Sequence, residues 1–236
     1  MIMLILSVDS SATPASVCLY DDRIISEYFV NTKLTHSQTL AAMIESVLKV
    51  TDTDVSAIDC FAVNSGPGSF TGVRIGVSAV KGMAYAASKP CVAVSTLESM
   101  AYNCTAYSGV VCACMDARRQ QVYNALFRID DGKIMRLCDD RAIGIEDLLG
   151  ELRMYQEPIY LFGDGAELVY RSIEELNNIH LSPDNLRYQR ASSTAVIAAE
   201  RFSSGRTVSA ASLMPSYLRL SQAEREMQNK RKEETS

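Results

Sequence analysis

One order of secondary-structure signals occurs twice along the chain, and it restricts the fold more than any other feature. In the first half, Ile2 to Val8 reads as a short apolar strand. Ala15 to Tyr20 and Arg23 to Val30 read as a hairpin turning at Asp21-Asp22. From Ser37 to Val50, Leu40, Met43, Ile44, Val47 and Leu48 recur at helical spacing. Ile58 to Val63 is then a strand, Phe70 to Ser88 a long helix, and Pro90 to Val94 a strand. Thr96 to Tyr107 is a helix opened by Ser95, with Glu98 three residues on as a capping box. In the second half, Val110 to Met115, Gln121 to Ile129 and Lys133 to Cys138 are strands, the last two joined by the turn Asp130-Asp131-Gly132. Ile145 to Met154 is a helix, Pro158 to Phe162 a strand and Ala166 to Leu176 a helix, with a further helix over Ser192 to Phe202. The two halves share topology and little sequence. The expectation is an α/β protein of two similar lobes, residues 1–108 and 109–220, each strand-strand-strand-helix-strand-helix. A cleft lies between them. The polar stretch 221–236 fits an exposed helix and a tail equally well.

Asp9 and Asp116 hold equivalent places, each just past the first strand of its lobe, where open α/β sheets bind ligands. A glycine-rich run, Gly66-Pro67-Gly68-Ser69-Phe70-Thr71-Gly72-Val73-Arg74-Ile75-Gly76, follows a strand and opens a helix. Free amides and the helix dipole at such a start favour an anion. Gly66, Gly68 and Ser69 with Asp9, Ser10, Asp116 and Arg118 therefore form a candidate nucleotide or phosphate cleft. The run lacks the lysine of a P-loop and the spacing of a dinucleotide fingerprint. Close packing is the favoured reading. Gly72 and Gly76 lie four apart with Ala79 near their stripe, and each internal glycine costs about 0.5–1 kcal/mol against alanine. Asp9 either positions a cation or accepts hydrogen bonds from Ser10 and Ser11. Arg118 either meets a phosphate or a partner's carboxylate, or satisfies Asp116. The residues leave both pairs of readings open.

Other chemistry is poorly supplied. His36 has Thr39 and Leu40 where a helical metal site needs a second imidazole, and His180, the other histidine, lies far along the chain. No nucleophile–base pair stands out. The seven cysteines sit mostly in apolar segments and read as core thiols, so no metal is expected. A net charge of −5 argues against a large RNA-gripping surface, while leaving room for a local basic patch. No stretch reaches the length of a membrane span. Ile2 to Val8 lacks a basic leader and a cleavage site, so a cytoplasmic protein is expected.

Ile5-Leu6-Ser7-Val8-Asp9-Ser10-Ser11, the His36-Ser37 helix start and the glycine-rich run resemble the TsaB (YeaZ) family. So do Val94-Ser95-Thr96-Leu97, Asp116-Ala117-Arg118 with Val122-Tyr123, and Tyr217-Leu218-Arg219. The resemblance implies the actin-like ATPase fold of two ribonuclease-H-like lobes. It implies a chain without catalysis of its own and without a cofactor, a nucleotide at the partner interface being left open. The implied partner is TsaD, a metal-carrying paralogue that transfers threonylcarbamoyl to adenosine 37 of tRNAs reading ANN codons. TsaE, an ATPase, joins the assembly, TsaC supplies threonylcarbamoyl-adenylate, and tRNA is met through the complex. Relatives also form homodimers through first-lobe helices. Combined with the periodicity, this gives a partner face of His36, Leu40, Met43, Ile44 and Val47 on one helix and Thr71, Gly72, Ile75, Gly76 and Ala79 on the next. Gln120-Gln121 stand where relatives commonly carry an acid before Val-Tyr. The alternatives are an ATP-binding enzyme of the same superfamily and, disfavoured, a glycoprotease-like metallopeptidase.

Overall fold

The computed structural model describes residues 3–173 and 177–219. The polar stretch 221–236 lies outside the described residues, and the helix expected over Ala166 to Leu176 ends at Arg171.

The first lobe contains strands β1 (Ile5–Asp9), β2 (Ala15–Tyr20) and β3 (Ile24–Val30), helix α1 (His36–Val50), strand β4 (Cys60–Gly66), helix α2 (Phe70–Ala87) and strand β5 (Cys91–Ser95). Helix α3 (Thr96–Ala101) follows. It ends six residues before the expected Tyr107, with a single tighter turn at 102–104. The second lobe contains β6 (Gly109–Asp116), β7 (Gln121–Asp130), β8 (Lys133–Arg136), β9 (Arg141–Gly144), α4 (Ile145–Leu152), β10 (Ile159–Phe162), α5 (Ala166–Arg171) and β11 (Ile179–Leu181). Helices α6 (Asp184–Arg187) and α7 (Ala191–Ser203) close the series.

The sheets run β3-β2-β1-β4-β5 and β11-β10-β6-β7-β8, with β9 pairing the near end of β7. Strand for strand, these are the same order. In each, the first strand runs antiparallel to its hairpin partner and parallel to the strand that follows the first helix. The central strands are buried on both faces, so β1 and β4 read as near-continuous apolar runs rather than alternating ones. Helix α1 presents Leu40, Met43, Ile44 and Val47 to the sheet, and α2 presents Val73, Val77, Val80 and Ala84. Ser69 caps α2 through Oγ to the Gly72 amide at 3.3 Å.

The division at residue 109 is amended at one point. Helix α7, assigned by sequence to the second lobe, packs on the first. Ile197 and Ala198 meet Ile5, Cys60, Ala62, Val92 and Val94 on the sheet face opposite α1 and α2. Ser7 Oγ donates to the Ala191 carbonyl at 2.6 Å, and Ser16 Oγ accepts from the Ala191 amide at 2.8 Å. Val208 then pairs with Cys91, and Leu213 enters the same lobe's core. The apolar pattern of Ala195, Ile197 and Ala198 shows that a face is buried but does not say against which sheet.

The lobes are joined through α3, whose Leu97, Met100 and Ala101 pack with Val111, Met115, Phe127 and Phe162. Glu98 receives Arg201 at 2.6 Å and Arg136 at 3.5 Å, and Arg136 also holds Asp140 at 2.6 Å. All seven cysteines are free thiols, six of them buried. Among the described residues, no helix is long and apolar enough to cross a membrane.

Candidate functional site

Two concave surfaces adjoin on one side of the molecule, and His36, Ser37 and Ile75 line both. The first is a groove of about 920 Å³ along α1 and α2. Leu40, Ala41, Ile44, Leu48, Ile75, Ala79 and Met83 form its apolar lining, with Glu45, Lys49, Asp52 and Asp54 also along it. Of the expected partner face, Leu40, Ile44, Ile75 and Ala79 reach this groove. Met43 and Val47 lie in the core beneath it, at 4% and 0% exposure. Thr71 lines the neighbouring cleft instead. Ala41, Leu48 and Met83 complete the groove. Leu48 carries the α1 stripe one step beyond Ile44, and Ala41 leaves room rather than a periodic signal.

Gly72 and Gly76 do not belong to the outer face. A Cβ at Gly72 would strike the Ser10 carbonyl oxygen, and one at Gly76 would stand 2.5 Å from Ser10 Oγ. That hydroxyl donates to the Gly72 carbonyl at 2.9 Å. The glycine notch seats α2 on the β1–β2 turn of its own lobe. A smooth stripe in sequence marks a close approach without naming what approaches.

The same contacts close the turn against a ligand. Asp9 accepts from the Ser11 amide at 2.8 Å, from Ser11 Oγ at 3.0 Å, and from Asn64 Nδ2. Asp9 and Ser10 are each 1% exposed. Burial raises the Asp9 pKa, against the lowering effect of these hydrogen bonds. The Ser69 amide donates to Ser11 O at 2.6 Å, and His36 Nε2 donates to Ala12 O at 2.7 Å. Gly66 is buried with no room for a side chain beneath the Ser216 carbonyl. Asp9, Ser10 and Gly66 therefore do not line the cleft. Gly68, Ser69, Asp116 and Arg118 do.

This second surface, the interlobe cleft, holds about 850 Å³. One wall is the turn at Ser11–Thr13, the loop before α1 and the start of α2. The other comprises Met115 to Arg118, Tyr123 and Asp164. Asp116 accepts from the Arg118 amide at 2.7 Å and pairs with its guanidinium at 3.0 Å. The satisfied-turn reading of this pair thus describes its geometry. Asp164 accepts from the Asp116 amide at 3.2 Å. Open to solvent on the cleft side and crowded by protein on the other, Asp164 has its pKa pushed up to about 6. Desolvation contributes most, and the Asp116 charge adds to it.

Two features of the cleft carry no clear sequence signal. Arg118, Arg119 and Gln120 have φ of 65°, 57° and 55°, three successive left-handed residues without a glycine. Each costs on the order of 1 kcal/mol or more. The second feature is a strap. The Ser216 amide donates to Ser65 O at 2.7 Å in the first lobe, and Arg219 donates to Ala117 O at 2.9 Å in the second. Between them Tyr217 packs on Phe70 at 4.9 Å between ring centroids. Arg74 stacks on Phe70 at 3.7 Å and donates to Tyr217 Oη at 2.6 Å. Among the described residues, no three His, Cys, Asp or Glu side chains cluster as metal ligands.

Two lobes of one strand order, facing each other across a cleft, define an actin-like ATPase-type α/β architecture. A family model described as TsaD, tRNA N6-adenosine threonylcarbamoyltransferase, matches residues 24–227. The TsaB tRNA threonylcarbamoyladenosine biosynthesis protein of Bacillus subtilis is 31% identical over 94% of this chain and 96% of its own length. Its namesake in Escherichia coli is 29% identical over 92% and 95%. The solved YeaZ from Pseudomonas aeruginosa superposes with a TM-score of 0.76 at 25% identity, covering 92% of this chain and all of that one. A second crystal structure from that organism, described as similar to peptidase YEAZ, gives 0.81 at 26% identity over the same shares. The chain belongs to the TsaB (YeaZ) branch of the TsaD family.

Proposed function

We propose that this chain is a non-catalytic partner of a TsaD-type protein in forming threonylcarbamoyladenosine at position 37 of tRNAs reading ANN codons, and that it docks through the α1/α2 groove. The observation that carries the reading is the groove itself. A preformed apolar trough between two exposed helices, edged by charged residues, has the anatomy of a protein interface core. The cleft is the second support. Its first-lobe carboxylate is interior, its second is paired with Arg118, and the His36 imidazole is engaged by a backbone carbonyl. On this reading the chain holds no cofactor and works in the cytoplasm. It pairs with a second copy through the groove when alone, joins a TsaE-type ATPase in the assembly, and depends on a TsaC-type enzyme for threonylcarbamoyl-adenylate.

The test uses Ala41→Glu and Ala79→Glu, two small groove residues, the first exposed and the second half-buried at the edge of the core. Burying an unpaired carboxylate in an apolar interface costs on the order of 3 kcal/mol, roughly a hundredfold in affinity. Each variant, at unchanged unfolding temperature, should fail to co-purify with its TsaD-type protein and fail to support tRNA modification in reconstitution. Full-yield pairing by both, or turnover by the chain alone, overturns the reading.

A further inference from the structure

The chain carries a net charge of −5, yet its cleft has Lys33, Arg118 and Arg219 in its lining, with Arg74 and Arg119 close by. Lys33, Arg118 and Arg219 line the cavity directly. Arg74 lies against two of its lining rings, Phe70 and Tyr217. Arg119 is the exposed neighbour of Arg118, whose own side chain is 86% exposed. The acidic residues lining the cleft are Asp116, already held by Arg118, and Asp164, whose charge is opposed by desolvation. Hydroxyls of Thr13, Thr32, Ser69 and Thr71 also line the cavity, and Tyr217 is 42% exposed on the strap. Separated cations, hydroxyl donors and an accessible aromatic face are the elements of a single-stranded nucleic-acid surface. The three left-handed residues at 118–120 include Arg118 of the cleft lining and its exposed neighbour Arg119, and strain of this kind concentrates at functional positions.

We infer that the cleft mouth binds a single-stranded RNA segment, with Lys33, Arg118 and Arg119 against phosphates and Tyr217 offering a stacking face to a base. The cations span the first lobe, the strap and the second lobe. That distribution suits a chain of phosphates better than one free nucleotide. Which RNA is bound rests on the proposed function: the tRNA loop presented to the TsaD-type partner would lie across this face, so the chain would touch tRNA itself.

The full-length chain is titrated against a fluorescently labelled single-stranded RNA of about 12 nucleotides, followed by anisotropy between about 50 and 200 mM salt. The double variant Arg118→Ala, Arg119→Ala should weaken binding at least about tenfold. It should also flatten the slope of log K against log salt by about 1.4, two phosphate contacts at about 0.7 each. Tyr217→Ala should weaken binding about tenfold with the slope unchanged, because stacking releases no counterions. Lys33→Glu, in the exposed loop before α1, reads the same contact should the turn variant not fold. Arg171→Ala, outside the cleft, should bind as the parent does. Parent-like binding by both the turn and Lys33 variants, no RNA binding at all, or displacement of RNA by AMP at comparable concentration overturns the inference. Pairing with the TsaD-type protein is scored separately on the same variants, so failed RNA binding leaves the groove reading standing.

Discussion

Helix α2 carries one substitution whose sign should reverse within two turns. At Gly82 an added Cβ meets nothing within 4 Å, so Gly82→Ala should stabilise by about 0.5–1 kcal/mol through helix propensity alone. At Gly76 the same methyl would stand 2.5 Å from Ser10 Oγ and 3.4 Å from Val63 Cγ2. Ser10 is 1% exposed, so its hydroxyl cannot swing into water. Displacing it leaves a buried hydroxyl unpaired, at about 1–3 kcal/mol, and forcing the methyl between α2 and the turn adds overpacking of about 1–3 kcal/mol. Less the propensity gain, Gly76→Ala should lose about 3 kcal/mol. For a chain of this length that is a fall in Tm of about 6–12 °C, against a rise of about 1–4 °C for Gly82→Ala. Thermal and urea unfolding followed by circular dichroism read both. The cause is isolated by adding Ser10→Ala, which removes the obstructing oxygen and leaves the Ser10 Cβ 3.8 Å from the new methyl. The pair should couple by at least about 1 kcal/mol, so that Ser10→Ala and Gly76→Ala together cost less than their separate losses combined. A Gly76→Ala chain as stable as its parent, or one that Ser10→Ala does not relieve, refutes the argument that the glycine seats α2 on this turn.

Two further outcomes follow from desolvation. Asp164 titrates near pH 6 rather than at its ordinary value of 3.8, so its protonated form is favoured by the fold. The stability this contributes is complete below pH 3.8 and is lost as pH rises through 6. Asp164→Asn keeps the acceptor for the Asp116 amide and should gain on its parent between pH 4 and 7; a constant difference across that range, or a carboxyl midpoint near 4 by NMR, counts against it. Desolvation pushes the Cys60 and Cys104 thiols up to about 12 and Cys91 up to about 11. Half-buried Cys138 should therefore be alkylated first in the native protein, with the other six protected until unfolding. Mass mapping that finds any of the six modified ahead of Cys138 contradicts this.

The doubled topology was legible because strongly periodic segments survive in isolation. The α1 stripe and the hairpin at Asp130-Asp131-Gly132 need no tertiary partner to be recognised. β9 and β11 were not, since four and three residues are too few for a period to show, and both are completed by their neighbours in the sheet. The site was half legible. Asp116 and Arg118 were found in the cleft and Leu40 and Ile44 in the groove, whereas Gly72, Gly76, Met43 and Val47 were placed on an outer face they do not occupy. Helical spacing gives a buried side, and only the sheet beneath says whether that side faces the protein's own core or another subunit. The strap is a case of a different kind. Phe70 and Arg74 lie four apart on α2, but Tyr217 is more than 140 residues further along the chain, and no local pattern announces that it stacks on them.

The return of α7 and Leu213 to the first sheet has a consequence for biogenesis. On a ribosome, the amino-terminal half emerges early but lacks the layer that covers one side of its sheet until α7, which ends at Ser203, has been made. Vectorial synthesis therefore cannot finish this molecule half by half. The second lobe is delivered as an insertion into the first, whose sheet is covered on both sides only after that insertion has been made.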